Sequence, residues 1–122
     1  MKTLFICNQN KHRSKTAEHL FKSTLQTKSA GLYNENPVTQ KELEWAELIL
    51  VMEDHQRTEI AKRFPSTYSK KHILSLNVPD MYSYNQPELI TLLEEKMKEI
   101  LKKRTTLANE FVSFTEISRK DI

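Results

Sequence analysis

The chain has 122 residues and a formal net charge of +3, with 38% hydrophobic and 29% charged side chains. That is the length of one domain and the composition of an ordinary globular protein. It holds one cysteine, Cys7, and one glycine, Gly31. These counts exclude an intrachain disulfide, a cysteine-built zinc or iron–sulfur site, the glycine-rich dinucleotide fingerprint and the Walker A loop.

The positive surplus lies in the second half. Residues 1–61 carry 8 basic and 8 acidic side chains, and residues 62–122 carry 11 and 8. Such a modest field draws anionic substrates but falls short of a dedicated nucleic-acid binder. Met1–Ile6 is too short for the apolar part of a signal peptide, and no run approaches the length of a membrane span. The expectation is a cytoplasmic protein with no membrane or nucleic-acid partner, its thiol kept reduced.

Thr3-Leu4-Phe5-Ile6 reads as a short buried strand. Cys7–Arg13 is polar after its first residue and reads as a loop. From Ser14 the period changes: Ala17, Leu20, Phe21 and Leu25 predict a helix from about Ser14 to Thr27, capped by the Ser14 hydroxyl. A weak second strand falls near Leu25–Ser29. Thr39-Gln40-Lys41-Glu42 has capping-box spacing and opens a short helix through Trp45. Leu48–Met52 is the strongest strand signal, five apolar residues in a row, as in a parallel sheet covered on both faces. Glu53-Asp54-His55 starts the next helix, which Pro65 stops. His72–Leu76 is a weaker strand, and Asn77–Gln86 a polar loop. Pro87 suits the first position of a last helix with Leu89, Leu93, Met97 and Ile100 on one stripe. Leu107, Phe111 and Phe114 continue that spacing.

Strands alternating with helices predict a three-layer α/β/α fold with a four-stranded parallel sheet. Right-handed crossovers favour the order 2-1-3-4. The division is a domain over residues 1–104 and a C-terminal extension over 105–122, helical if the spacing persists. Ligands of such sheets bind at the carboxyl ends of the strands where the winding reverses, which is the loop after strand one.

That loop is Cys7-Asn8-Gln9-Asn10-Lys11-His12-Arg13-Ser14. Five residues between Cys7 and Arg13 can curl so that the backbone N–H groups of Asn8, Gln9, Asn10, Lys11, His12 and Arg13 converge on one anion. The following helix adds its N-terminal dipole, and Arg13 can grip two phosphate oxygens at once. A thiolate is the nucleophilic form of cysteine, and helix N-termini and neighbouring cations favour it. Ser14 can donate a hydrogen bond to the same sulfur. The constellation suits phosphoryl transfer through a cysteinyl-phosphate, with no metal and no cofactor. Without a glycine in the loop, Asn8 and Asn10 are the residues suited to left-handed backbone.

These residues resemble the signature loop of the low-molecular-weight protein tyrosine phosphatase family: cysteine, five residues, arginine, serine, directly after the first strand. Asn10, Thr16-Ala17-Glu18, Ser29-Ala30-Gly31 and Leu48–Met52 with Glu53 are similar to the family's pattern as well. A short bacterial branch of predicted tyrosine phosphatases also shares Asn36-Pro37-Val38-Thr39, Glu44-Trp45-Ala46, Val51-Met52-Glu53 and Pro79-Asp80. The resemblance spans roughly residues 2–101.

It implies that Cys7 attacks phosphorus, Arg13 binds phosphate, Ser14 stabilises the thiolate and an aspartate on a late loop protonates the leaving oxygen. Of Asp54, Asp80 and Asp121, Asp80 lies in the loop after the last strand and takes that role. Tyr82 matches the aromatic that lines the family's phenyl pocket, and Tyr33 is placed as the opposite wall. The chain departs from the family in having Pro79-Asp80 in place of Asp-Pro, Gln9 in place of a glycine, and His12 in place of a second loop cysteine. His55 and His72 read as structural or surface residues. The implied substrate is a phosphotyrosine protein or a small aryl phosphate. Two other readings keep the same loop: an oxyanion- or phosphopeptide-binding module without efficient turnover, and an arsenate reductase that relies on an external thiol.

Overall fold

The computed structural model describes residues 1–120, with side chains described for residues 1–103. The expected stripe through Leu107, Phe111 and Phe114 lies outside the described side chains.

Four strands form one parallel sheet: β1 (Lys2–Cys7), β2 (Gln26–Gly31), β3 (Leu48–Val51) and β4 (Ile73–Ser75), in the order β2-β1-β3-β4. Five helices connect and cover them: α1 (Arg13–Phe21), α2 (Gln40–Trp45), α3 (Asp54–Arg63), α4 (Pro65–Lys70) and α5 (Pro87–Lys120). The architecture and strand order are those expected from the alternation of strands and helices. Among the described residues, no helix is long and apolar enough to cross a membrane.

The two-residue period of a strand sorts the apolar residues onto two faces. Leu4 and Ile6 of β1 join Ile49 and Val51 of β3 in one core, with Leu43 of α2 and Ile60 of α3. Phe5 and Cys7 join Leu48 and Leu50 in the other, with Ala17 of α1 and Leu89, Leu93 and Met97 of α5. A continuous apolar run is what such a doubly covered strand requires, and β3 is buried at all four positions. Chain crossing by α1 on one face and α2 on the other reverses the winding beside β1. The loop after Cys7 therefore opens into the crevice between the two directions.

Two expectations are corrected here. Helix α1 ends at Phe21, not near Thr27. Gln26 must pair with Lys2 at the start of β2, and its N–H donates to the Met1 carbonyl. The chain therefore turns over residues 22–25, and Leu25 packs partly buried from that turn rather than from a helix. Sheet pairing overrides the helical spacing. Pro65 does end α3, but it also opens α4 at the position where its missing N–H costs nothing. The capping box at Thr39 and Glu42 forms as its spacing predicts, with Thr39 Oγ1 accepting from Glu42 N–H.

Candidate active site

Cys7 closes β1 and is 3% exposed. Its Sγ lies 2.9 Å from Ser14 Oγ. Ser14 was expected to cap α1, but His12 holds the N-cap position and offers no side-chain cap. The Ser14 hydroxyl instead donates to Asn10 Oδ1 at 2.8 Å. A hydroxyl carries one proton. While Ser14 gives it to Asn10, the Cys7 thiol must be the donor between sulfur and oxygen. Once Cys7 is a thiolate, the Ser14 proton has to turn to sulfur and leave Asn10. Cys7, Ser14 and Asn10 thus form one switchable chain.

Asn10 has φ 53, the left-handed region that asparagine tolerates better than other side chains except glycine. Asn8 does not share it; Asn10 is the loop's one residue with positive φ. Asn8 works through its side chain. Its Oδ1 accepts from Gln56 Nε2 at 2.9 Å, and Gln56 Oε1 accepts from the backbone N–H groups of Met52 and Glu53. Gln56 is wholly buried. It ties the first residue of the loop to the end of β3, satisfies the Glu53 N–H at the N-cap of α3, and shares the Met52 N–H with the Ile6 carbonyl.

Arg13 is 2% exposed, so its charge needs partners. Its Nη1 donates to Glu53 Oε1 at 2.6 Å and to the Val78 carbonyl at 2.8 Å. A guanidinium has five N–H groups, so those on Nε and Nη2 remain for an anion. Burial pushes the Glu53 carboxyl up, but hydrogen bonds from His55 and Arg13, together with their charges, outweigh it. The net result is a pKa below the ordinary value. Glu53 stays ionised and holds Arg13 in place.

Asp80 stands on the facing loop, its side chain 62% exposed and Oδ1 3.8 Å from Arg13 Nε. Cys7, Asn8, Gln9, Lys11, His12, Arg13 and Asp80 together line a cavity of about 290 Å³. The hollow that Asp54 lines is a different one, shared with Arg57 and His72. Tyr33 and Tyr82 line neither. Tyr33 is half exposed, its N–H bonded to the Asn8 carbonyl and its ring 5.1 Å from the Arg63 guanidinium. Tyr82 packs partly buried against the core that holds Cys7 and Leu89. Tyr33, Met81 and Tyr84 are exposed large hydrophobic residues. Each is joined to a lining residue: Tyr33 by its N–H bond to the Asn8 carbonyl, Met81 as the chain neighbour of Asp80, and Tyr84 by its N–H bond to His12. Among the described residues, no cluster of three histidine, cysteine or acidic side chains could hold a metal ion.

The structure brings Cys7, Asn8, Gln9, Lys11, His12, Arg13 and Asp80 to one cavity, with Asn10 and Ser14 bonded beside Cys7. Gln56, and the bond from Arg13 to Glu53, were not among the expectations from the sequence. The available signal was Glu53-Asp54-His55-Gln56 itself, which has the spacing of a capping box at the end of the strongest strand.

The sheet order, the loop after β1 and the facing loop after β4 define the fold of the low-molecular-weight tyrosine phosphatases. A low-molecular-weight protein tyrosine phosphatase from T. tengcongensis superposes with TM-score 0.68 at 19% identity, covering 84% of this chain and 99% of the other. The tyrosine phosphatase Wzb from Escherichia coli, in complex with phosphate, gives TM-score 0.68 at 21% identity over 84% and 96%. The YwlE arginine phosphatase from Geobacillus stearothermophilus gives 0.63 at 20% identity over 86% and 95%. The likeness is one of fold. No protein-family model matches the sequence, and no curated protein does.

Proposed function

We propose that the chain is a cysteine-dependent phosphomonoesterase that hydrolyses phosphotyrosine or a similar aryl phosphate. The observation that carries this reading is the 2.9 Å approach of Cys7 Sγ to Ser14 Oγ at the wall of a cavity shared with buried Arg13 and Asp80. Fold relatives that are tyrosine and arginine phosphatases support it.

In the first step the Cys7 thiolate attacks phosphorus. The S–P bond forms, the ester P–O bond breaks, and Asp80 passes its proton to the departing aryl oxygen. Ser14 supports the sulfur, and Arg13 holds two equatorial oxygens. In the second step Asp80 takes a proton from water, whose oxygen displaces sulfur and releases phosphate. The exposed Tyr33, Met81 and Tyr84, each joined to a residue that lines the cavity, favour an aromatic or peptide-borne group. An aryl ester suits this cavity better than a phosphoguanidinium, because Lys11 and Arg13 line it and Asp80 is the one carboxylate among its lining residues. A cationic leaving group would face like charge there.

Hydrolysis of p-nitrophenyl phosphate without added metal tests the reading. Cys7→Ser should abolish turnover while keeping phosphate binding. Asp80→Asn should lower kcat/KM on phenyl phosphate by roughly 10²–10⁴, the usual contribution of a positioned acid. Turnover that survives Cys7→Ser refutes the nucleophile. A wild type that binds phosphate but turns over no ester is a binding module.

A further inference from the structure

The loop that carries Asp80 is held at both ends by the phosphate loop and the start of α1. At its beginning, Arg13 Nη1 donates to the Val78 carbonyl at 2.8 Å. At its end, the Tyr84 N–H donates to His12 Nδ1 and the Asn85 N–H donates to Thr16 Oγ1, each at 2.9 Å. Asn85 has φ 60, and this left-handed turn presents the two successive N–H groups to α1. The Tyr84 hydroxyl also meets His19 Nδ1 at 2.6 Å on the same helix. Between these anchors Pro79, Asp80 and Met81 are exposed.

His12 Nδ1 can accept that bond only while it carries no proton. An imidazolium has N–H donors on both nitrogens and would set a donor against the Tyr84 N–H. Imidazole side chains change charge near neutral pH. We propose that His12 is a positioning residue: neutral, it anchors the loop bearing Asp80 to the phosphate loop, and protonated, it releases that anchor. The kinetic half of this inference rests on the reading of Asp80 as the acid; the structural half does not. The charged and titratable groups around His12 are Lys11 and Arg13 beside it in sequence, Cys7 at the end of β1, and Asp80 and Tyr84 on the facing loop. His19 joins them through the Tyr84 hydroxyl. Loss of the Tyr84 N–H bond leaves the Thr16–Asn85 bond and the Tyr84 hydroxyl on His19 as the anchors at that end.

Leaving-group dependence separates acid positioning from general damage. Nitrophenolate departs with little need of a proton, whereas phenolate needs one. The ratio of kcat/KM on phenyl phosphate to that on p-nitrophenyl phosphate therefore reads the acid. It would be measured from pH 5 to 8 for wild type, His12→Asn and His12→Phe. Each substrate's own ionisation is common to all three enzymes. In wild type the ratio should fall as pH drops. His12→Asn, with a side-chain oxygen near the place of Nδ1 and no titration, should flatten that fall. His12→Phe should depress the ratio roughly tenfold or more at every pH, a part of what a positioned acid contributes. Equal slowing of both esters by His12→Phe, or identical pH dependence in wild type and His12→Asn, overturns the proposal.

The second readout needs no turnover. The Tyr84 amide resonance should follow the titration of the His12 ring in wild type and lose that titration in His12→Asn. A Tyr84 amide that ignores the ring overturns the anchor whatever the activity. A wild type that hydrolyses neither ester while its Tyr84 amide follows the ring refutes the phosphatase reading and upholds the anchor.

Discussion

Gln56→Leu is the substitution that most directly tests how the site is held. The side chain is wholly buried and makes three hydrogen bonds, two accepted from the Met52 and Glu53 N–H groups and one donated to Asn8 Oδ1. Leucine fills similar space and makes none. The Met52 N–H keeps its 3.1 Å bond to the Ile6 carbonyl, but the Glu53 N–H and Asn8 Oδ1 lose their partner, at about 1–3 kcal/mol each, so the pair costs about 2–6 kcal/mol. The greater apolar burial of leucine offsets ~1–2 kcal/mol of this. A net loss of about 1–4 kcal/mol should appear in urea unfolding as a lower midpoint at unchanged slope. Asn8 also loses its tether, so inhibition by inorganic phosphate should weaken roughly fivefold, the worth of one hydrogen bond. Gln56→Glu keeps both accepted bonds, and the Asn8 amide can turn its Nδ2 toward the new carboxylate. It should recover more than half of the stability. A Gln56→Leu protein within ~0.5 kcal/mol of wild type, with phosphate inhibition unchanged, would refute the reasoning, since surface substitutions commonly cost that little.

The depressed pKa of Glu53 makes its contribution to stability present above the ordinary carboxylate value of 4.5 and lost as pH falls through its lowered value. The melting-temperature gap between wild type and Glu53→Gln should therefore hold steady from pH 7 to about 5 and close in acid below that ordinary value; a gap that widens in acid contradicts the pairing. A Cβ at Gly31 would lie 2.9 Å from the Asn34 side chain. Gly31→Ala should lose ~1–3 kcal/mol by overpacking, and Asn34→Ala in the same chain should restore most of it in thermal melts. With Cys7 alone in the chain, peroxide should inactivate the protein with a gain of two oxygens by mass spectrometry that dithiothreitol does not reverse. Full recovery of activity with the reductant would place the oxidation at an earlier, reducible stage.

Much of the fold is legible because its signals are local and strong. The five-residue apolar run at Leu48–Met52 could serve only a covered strand, and Pro87 with the Leu89–Leu93–Met97 stripe could serve only a helix laid on that sheet. The misplaced boundary at α1 has the opposite character. Phe21 and Leu25 are four apart and both apolar, yet they pack on the same core from a helix end and a turn. Periodicity records that both face the core. It does not record that Gln26 must already be extended to meet Lys2. At Pro65 the same residue supplies a stop and a start, and the sequence reading took the first meaning alone.

The site divides along the same line. Cys7, Arg13 and Ser14 sit within eight consecutive residues, from the end of β1 to the start of α1, so spacing reveals them. Glu53 and Gln56 lie 40 and 48 residues from the partners they serve, and no spacing within a loop can show that. Topology can. In the order 2-1-3-4, β3 lies directly beside β1, with Ile6 opposite Val51. The residues that leave β3 must then emerge at the level of Cys7. The same holds for every strand at this edge. Asn8 follows β1, Leu32 and Tyr33 follow β2 and bond to the Asn8 and Cys7 carbonyls, Glu53 and Gln56 follow β3, and Val78 and Asp80 follow β4. Once a parallel sheet and its order are inferred, the first residues past each strand are the candidates for the site. That rule places Glu53 and Gln56 beside the loop after β1.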